Sequence, residues 1–282
     1  MKIITTIAEL RASLVGKLDI ALVATMGNLH AGHIDLTRIA RERVGAAGTV
    51  VMSIFVNRLQ FAPHEDFDHY PRTFSDDCAA CAAAGLDFVF APIESTMYPV
   101  PQTYLVEPAE IQHILDGAVR PGHFRGVATV VLKLFNMVSP QVAVFGKKDY
   151  QQCRVLLNMV AEFNLPIEMV LAETVRAEDG LALSSRNRYL NQRERKEAAR
   201  LHEVLQTVRS EIIAGNNDFA GIENAAADIL QNHGWQLDYL TIRRQSDLLD
   251  PKNFELHETK LVILAAARLG ATRLIDNLEV NR

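Results

Sequence analysis

Short apolar runs alternate with amphipathic stretches through the first two thirds of the chain. Residues 19–25 (DIALVAT), 48–56, 86–92 and 141–146 are rich in β-branched residues, almost uncharged and short, which predicts buried strands. Apolar residues recur at helical spacing over 33–44, 72–84, 126–138 and 148–163. Strands that alternate with helices of this length are typical of right-handed crossovers. The pattern therefore predicts an α/β fold with a doubly wound parallel sheet of Rossmann-like architecture.

The pattern changes after about residue 174. One long charged amphipathic helix is predicted over 191–215 and a second over 218–233. Three strands, predicted to be antiparallel, follow at 235–244, 260–270 and 272–280. Helices followed by strands make a small α+β domain. We therefore expect two domains, residues 1–174 and residues 175–282.

Composition restricts the class of protein. The chain has 282 residues, 49% of them hydrophobic, and a formal net charge of -5 from 29 basic and 34 acidic residues. This balance argues against a general nucleic-acid binder but allows a local basic pocket for a phosphorylated ligand. The three cysteines indicate a reducing compartment. Cys78 and Cys81 form a C-x-x-C in an alanine-rich helical stretch, where a structural role is favoured over redox or metal binding.

The N-terminal segment lacks the long apolar core of a signal peptide. No run approaches the roughly 20 apolar residues that a membrane-spanning helix needs. We therefore expect a cytoplasmic protein.

The first candidate for chemistry is the stretch TMGNLHAGH at 25–33, which joins the first buried strand to a helix. Glycines allow the backbone to bend and to approach a ligand closely. Unpaired N–H groups and the positive end of the helix dipole are expected to face an anion, with His30 and His33 beside them. The alternative is that both histidines only make hydrogen bonds within the loop. Their position at the carboxyl end of a strand favours the anion site.

Further polar groups follow the other predicted strands. Asn57 and Gln60 come directly after 48–56, where amides can bind hydroxyl or carboxylate groups. Most of the charges in the following loop, 64–77, are expected to be solvated. Arg120, His123 and Arg125 precede a helix in a second arrangement that suits an anion.

The last predicted strand of the first domain ends in VFGKKDYQQ. Lys147 and Lys148 begin a helix there and can neutralise phosphate, and Asp149 can hold a magnesium ion; a pair of solvated lysines is the alternative. Ser184, Ser185 and Arg186 follow a glycine turn and supply donors for a phosphate. Neither a Cys–His pair nor a Ser–His–Asp set is evident. Donors and cations of this kind suit charge stabilisation at a phosphorus centre rather than covalent catalysis.

The His-x-Gly-His at 30–33 resembles the signature of the nucleotidyl-transferase superfamily. The segments TMGNLHAGH, VNRLQF, YPRT, RPGHFRGV, GKKDYQQ and DGLALSSRNRYL, in this order and spacing, resemble the pantoate–β-alanine ligase (pantothenate synthetase) family over nearly the whole chain. That resemblance implies that ATP and pantoate form an enzyme-bound pantoyl adenylate and pyrophosphate. The amine of β-alanine then attacks the acyl carbon and releases pantothenate and AMP.

The resemblance also implies roles for individual residues. His33 is the expected proton donor, with His30, Lys148 and Arg186 as further catalytic groups. Gln60 is expected to bind pantoate and β-alanine, and Gln152 to bind pantoate, beside Asn57. The implied ATP contacts are Met26, Gly27, Asn28, Leu29, His30, Ala31, Gly32, His33, Gly146, Lys147, Lys148, Asp149, Val175, Leu183, Ser184, Ser185 and Arg186. ATP is expected to act with Mg²⁺ through ligands that the sequence leaves unknown. A homodimer that binds neither nucleic acid nor membrane is expected, with a C-terminal domain that closes over the site.

Four positions depart from the family pattern. Proline is usual where this chain has Ala24, Arg58 and Glu173, and glutamate is usual where it has Lys147. Without the fixed φ of proline, Arg58 is expected to loosen the loop that carries Asn57 and Gln60. Lys147 places a cation where the family has a carboxylate.

Two other functions are compatible with parts of this pattern. A different nucleotidyl transferase would need a cationic pocket for a phosphorylated acceptor, whereas the predicted acceptor site is led by the amides of Gln60 and Gln152. A nucleotide-binding module without catalysis is the second alternative. The presence of His30, His33, Lys148 and Arg186 argues against it.

Overall fold

The computed structural model describes residues 1–63, 65–251 and 260–281. Its strands are β1 Lys2–Ile4, β2 Ile20–Thr25, β3 Thr49–Ile54, β4 Phe88–Phe90, β5 Val142–Gly146, β6 Glu168–Ala172, β7 Gln236–Arg244, β8 Lys260–Leu269 and β9 Thr272–Asn281. Its α-helices are α1 Ile7–Leu14, α2 Ala31–Val44, α3 Phe74–Ala83, α4 Glu94–Met97, α5 Asp116–Val119, α6 His123–Val138, α7 Tyr150–Glu162, α8 Gln192–Glu197, α9 Arg200–Ile213 and α10 Phe219–Asn232. Short 3-10 helices lie at Arg58–Gln60, Glu110–His113, Lys147–Asp149 and Ser185–Tyr189.

The chain divides into two compact units. The first comprises Met1–Gly146 and Val155–Glu173, and the second comprises Lys147–Arg154 and Thr174–Arg282. One of the three boundaries between the units therefore falls within α7. The first unit contains a parallel sheet of six strands in the order β1-β4-β3-β2-β5-β6. The second contains an antiparallel sheet in the order β7-β8-β9. The predicted fold class is confirmed.

The centre of the first sheet is covered on both faces. Ala21 and Val23 of β2 pack with Ala40 of α2 in one hydrophobic cluster. Leu22, which points to the opposite face, is also fully buried. Continuous burial explains why β2, β3 and β5 read as unbroken apolar runs in the sequence.

Some elements differ from the predictions. β1 and β6, the outer strands of the six-stranded sheet, were not predicted, because β1 has three residues and β6 (EMVLA) is partly exposed. The prediction of a single helix over 191–215 is wrong. α8 ends at Glu197 and α9 begins at Arg200, because the N–H groups of Leu201 and His202 bond three residues back to Ala198 and Ala199.

Candidate active site

The order of the strands marks the edge of the first sheet where a ligand is expected. β3 pairs with one side of β2 and β5 pairs with the other side. The carboxyl ends of β2 and β5 therefore lie side by side at a point where the strand order changes direction. Ligands of open α/β sheets bind at such a point.

The turn after β2 is held by a buried carboxylate. Gly27 and Asn28 have left-handed φ angles of 80° and 52°. The N–H groups of Asn28 and Leu29 donate to the two oxygens of Asp77, at 2.9 and 2.8 Å. A Cβ on Gly27 would lie 3.0 Å from Asp77 Oδ2, so glycine allows this approach. Asp77 on α3 thus fixes the shape of the turn.

The expectation that the charges in 64–77 are solvated is wrong for Asp77, which is only 3% exposed. It holds for Asp68 and Asp76, which are exposed. Asp77 carried no local sign of burial, because its N–H partners lie 48 and 49 residues earlier in the chain. His64, at the start of this segment, lies outside the described residues.

Replacing Asp77 by asparagine is expected to lower the free energy of unfolding by about 1–3 kcal/mol, because one buried N–H loses its acceptor. Urea denaturation measures this change, and the exposed neighbour Asp76→Asn is the matched control. We also expect a higher KM for ATP. Equal stability of the two variants would contradict the assignment of Asp77.

His30 and His33 cap their own helix. His30 Nδ1 accepts from the N–H of Gly32 at 3.1 Å, and His33 Nδ1 accepts from the N–H of His30 at 3.3 Å. The two rings lie next to each other, with centroids 4.1 Å apart and planes inclined by 37°. Because each Nδ1 accepts from a backbone donor, a neutral ring carries its proton on Nε2. The arrangement is a capping box built from two histidines.

This geometry corrects the expectation of unpaired N–H groups at the start of α2. The N–H groups of His30 and Gly32 bond to the histidine rings rather than remaining open to an anion. These two backbone donors are therefore already used within the turn.

Asn57 and Gln60 meet at the end of β3. Asn57 Nδ2 donates to Gln60 Oε1 and to the carbonyl of Gly126, both at 3.1 Å, and Asn57 Oδ1 accepts from Tyr98 Oη at 2.7 Å. Gln60 Nε2 lies 3.1 Å from Met26 Sδ. A Cβ on Gly126 would lie 2.2 Å from the carbonyl oxygen of Leu59, so α6 packs directly on this turn. The structure thus brings the predicted residues of two loops together.

His123, at the start of α6, contacts the Asn57–Gln60 turn. Its Nδ1 lies 2.8 Å from the carbonyl oxygen of Gln60, and Arg120 Nη1 lies 3.0 Å from its Nε2. Burial, aided by the charge of Arg120, lowers the pKa of His123 to about 4. The neutral ring therefore accepts from Arg120 and donates to Gln60. Arg120 also forms a two-point ion pair with Glu65 at 2.6 and 3.0 Å. The guanidinium that was predicted to attract an anion is therefore paired with a carboxylate of the protein.

Arg58 makes contacts of its own in the place where the family has proline. Its guanidinium lies 3.9 Å above the ring of Phe67, and its Nε lies 3.3 Å from Glu94 Oε1. These contacts restrain the 3-10 helix Arg58–Gln60 from outside.

In the second unit, the predicted lysines form the 3-10 helix Lys147–Asp149. Lys147 Nζ pairs with Glu279 Oε2 at 2.8 Å, and Glu279 Oε1 accepts from Tyr150 Oη at 2.9 Å. Glu279 thereby balances the cation that departs from the family pattern. Lys148 Nζ is 3.7 Å from Asp149 Oδ1, a longer ion pair.

The second predicted ATP segment of this unit, 175–186, folds back on itself. The N–H of Leu183 donates to the carbonyl of Val175 at 2.9 Å, and Ser184 Oγ accepts from the N–H of Arg186 at 3.2 Å. Arg176 makes a two-point ion pair with Asp276 of β9 at 2.7 and 2.8 Å. Burial alone would raise the pKa of Asp276, but His202 and Arg176 outweigh it and lower that pKa.

Other predicted residues are placed as follows. Ala31 and Gly32 lie in the first turn of α2, and Gln152 lies half-buried on α7. Burial, followed by the charges of Cys78 and Asp77, raises the pKa of Cys81 to about 12, so this residue is a thiol at neutral pH. Across residues 1–63, 65–251 and 260–281, no three or more His, Cys, Asp or Glu side chains are grouped to hold a metal ion.

Known proteins resemble this chain over its whole length. The family model described as pantoate-beta-alanine ligase matches residues 2–279. A pantothenate synthetase of Nitrosospira multiformis is 58% identical over 280 residues, which cover 99% of this chain and 98% of the relative. The solved pantothenate synthetase of Thermus thermophilus has a TM-score of 0.93 at 42% identity and 100% coverage of both chains. The pantoate-beta-alanine ligase of Francisella tularensis, complexed with beta-gamma ATP and beta-alanine, has a TM-score of 0.80 at 32% identity and coverage of 99% and 97%.

Proposed function

Because the chain belongs to the pantoate–β-alanine ligase family, we propose that it joins its substrates through an enzyme-bound pantoyl adenylate. The overall activity is the ATP-dependent ligation of pantoate and β-alanine to pantothenate. In the first step, a carboxylate oxygen of pantoate attacks the α-phosphorus of ATP and the bond to pyrophosphate breaks. In the second, the amine of β-alanine attacks the acyl carbon, loses a proton and displaces AMP.

The observation that carries this proposal is the pair of adjacent histidine rings at the point where the strand order changes direction. Because Nδ1 of each ring accepts a backbone N–H, the neutral form of each ring carries its proton on Nε2, and the cap fixes the orientation of the ring. Donors that are already oriented stabilise charge that develops on phosphate oxygens without reorganisation in the transition state. His33 donates in the first step, and His30 orients it and adds a second donor.

Lys148 and Arg186 supply positive charge for the phosphates in this proposal. Lys148 is the better available of the two adjacent lysines, since Lys147 is paired with Glu279 at 2.8 Å. Magnesium usually binds through one or two carboxylates together with substrate phosphates. The exposed carboxylate of Asp149, next to Lys148, suits Mg²⁺ that arrives with ATP. The other implied ATP contacts, from Met26 to Leu29 and at Gly146, Val175, Leu183, Ser184 and Ser185, stay predictions.

We assign the acid substrates to the amides. Asn57 and Gln60 are buried and held by Tyr98 and by the backbone of α6, so their amide groups are oriented before a substrate binds. An uncharged amide can bind the carboxylate and hydroxyl groups of pantoate without adding charge to an anionic site. The assignment of Gln152 to pantoate rests on the resemblance.

Gln60→Ala is expected to raise the KM values for pantoate and β-alanine more than the KM for ATP. Steady-state kinetics with each substrate varied in turn measures the difference. Leu59→Ala is the matched control, because this neighbour is exposed on the same 3-10 helix. A rise confined to the KM for ATP would place Gln60 at the nucleotide instead.

Release of AMP that requires both pantoate and β-alanine tests the overall reaction. Another nucleotidyl transferase would release pyrophosphate with a phosphorylated acceptor, and a binding module would release neither product. Pantoate-dependent ATP–pyrophosphate exchange without β-alanine tests the adenylate, because it requires a reversible first step.

Several expectations stay predictions: the homodimer, the cytoplasmic location, and the division into an ATP- and pantoate-binding domain (1–174) and a lid domain (175–282). Among the residues that the structure describes, no helix is both long enough and apolar enough to cross a membrane.

A further inference from the structure

The segment Lys147–Asp149 is held by the side chain of a strand far away in sequence. Asn277 Nδ2 donates to the carbonyl oxygens of Lys147 and Lys148, at 2.8 and 2.9 Å. Both protons of one planar amide group are thus used on consecutive peptide groups. A 3-10 helix of three residues has little internal hydrogen bonding, so its orientation depends on contacts of this kind.

Asn277 is itself fixed in place. It lies on β9, where it pairs with Leu264 in a continuous antiparallel register, and it is only 5% exposed. The neighbouring strand β8 contributes Ile263 and Ala265 to the hydrophobic core. The N–H of Asn277 also donates to Asp276 Oδ1 at 2.7 Å. Side chains that are locked by packing and hydrogen bonds can hold a functional group to within a fraction of an ångström.

The same strand anchors both segments of this unit to which ATP contacts are assigned. Asp276 holds Arg176, next to Val175, while Asn277 and Glu279 hold the 147–150 segment. β9 also contacts the 3-10 helix Ser185–Tyr189. The distance between the two segments is therefore set by one rigid strand.

We propose that Asn277 is a positioning residue for the adenylation step, which acts by holding the backbone of Lys148 so that its ammonium group meets the phosphates of ATP. This inference rests on the proposed function, because it assigns Lys148 to the triphosphate. Asn277 does not itself need to touch a substrate.

The test compares the half-reactions in Asn277→Ala. We expect pantoate-dependent ATP–pyrophosphate exchange to fall about 10- to 100-fold, since displacement of a group by about 1 Å can cost this much. The single-turnover reaction of separately prepared pantoyl adenylate with β-alanine should change less than about threefold. An equal loss in both half-reactions would overturn the proposal, because a merely structural defect would slow both. Asn277→Leu, which has a similar branched shape, replaces the alanine variant if that variant does not fold.

A double-mutant cycle separates this inference from the proposed function. If Asn277 acts through Lys148, the double variant Asn277→Ala/Lys148→Ala exchanges pyrophosphate no more slowly than Lys148→Ala alone. Multiplicative losses would overturn the inference. If Lys148→Ala alone leaves exchange unchanged, the role proposed for Lys148 fails first. If it slows exchange while Asn277→Ala does not, only the inference about Asn277 fails.

Discussion

Replacing Lys148 by alanine is expected to slow the first half-reaction by about 10²–10³-fold, the usual cost of one preorganised group that stabilises transition-state charge. Charge builds up on the phosphates as pantoate attacks the α-phosphorus. Pyrophosphate has left before the amine attacks the acyl carbon, so the second half-reaction should be largely spared. Exchange of pyrophosphate into ATP measures the first step, and single-turnover conversion of supplied pantoyl adenylate measures the second.

Lys147→Ala is the matched control for this variant. Lys147 is the adjacent lysine, but its ammonium group is paired with Glu279 at 2.8 Å. We expect a smaller effect on exchange than in Lys148→Ala. Equal loss of both half-reactions in Lys148→Ala would mean that this lysine positions the adenylate rather than the triphosphate. A solvated lysine would leave both steps unchanged.

The second large effect is expected at His33. His33→Ala should lower pantoate-dependent exchange by about 10²–10³-fold with ATP saturating, because one oriented donor to the developing charge is lost. The fold should persist, because the capping bond of His33 is one of two at the start of α2. Exchange within about threefold of the original rate would exclude His33 as this donor.

Two further substitutions separate the functions of the two ring nitrogens of His33. Asparagine can place an acceptor near the position of Nδ1 and so keep the cap on the N–H of His30, but it lacks a donor at the position of Nε2. Glutamine can place an N–H near Nε2 but loses the cap. We therefore expect His33→Gln to retain more exchange activity than His33→Asn, and His33→Asn to retain more stability to urea. The reverse order for exchange would assign catalysis to Nδ1.

Elements with a long and regular pattern were predictable from the sequence. The strands β2, β3 and β5 are buried on both faces, so each leaves an unbroken apolar run, and α2 and α6 repeat apolar residues at helical spacing. β1 and β6 left weaker signals because an outer strand is short or partly exposed. The break between α8 and α9 has no glycine or proline to mark it.

Some residues of the candidate site could also be predicted from the sequence, and others could not. Residues that follow strands directly, such as His30, His33 and Lys148, could be located because parallel strands deliver their carboxyl ends to one edge. The residues that hold them could not. Asp77 lies 48 residues from Leu29, and Asn277 lies 129 residues from Lys148. A polar side chain whose partner is this distant looks like any solvated residue of its type.

The close packing of α6 on the Asn57–Gln60 turn limits which amino acids can replace the residues in this part of the sequence. A side chain at position 126 would meet backbone atoms of Leu59, which cannot rotate away as a flexible side chain could. At Gly146 an added Cβ would find its nearest neighbour, Leu36 Cδ2, only at 4.0 Å, which leaves room for alanine. Two glycines in the same motif set are thus under different steric constraints. A homologous chain with a larger residue at position 126 would have to support its amides on a different backbone, even if every substrate-binding side chain were unchanged.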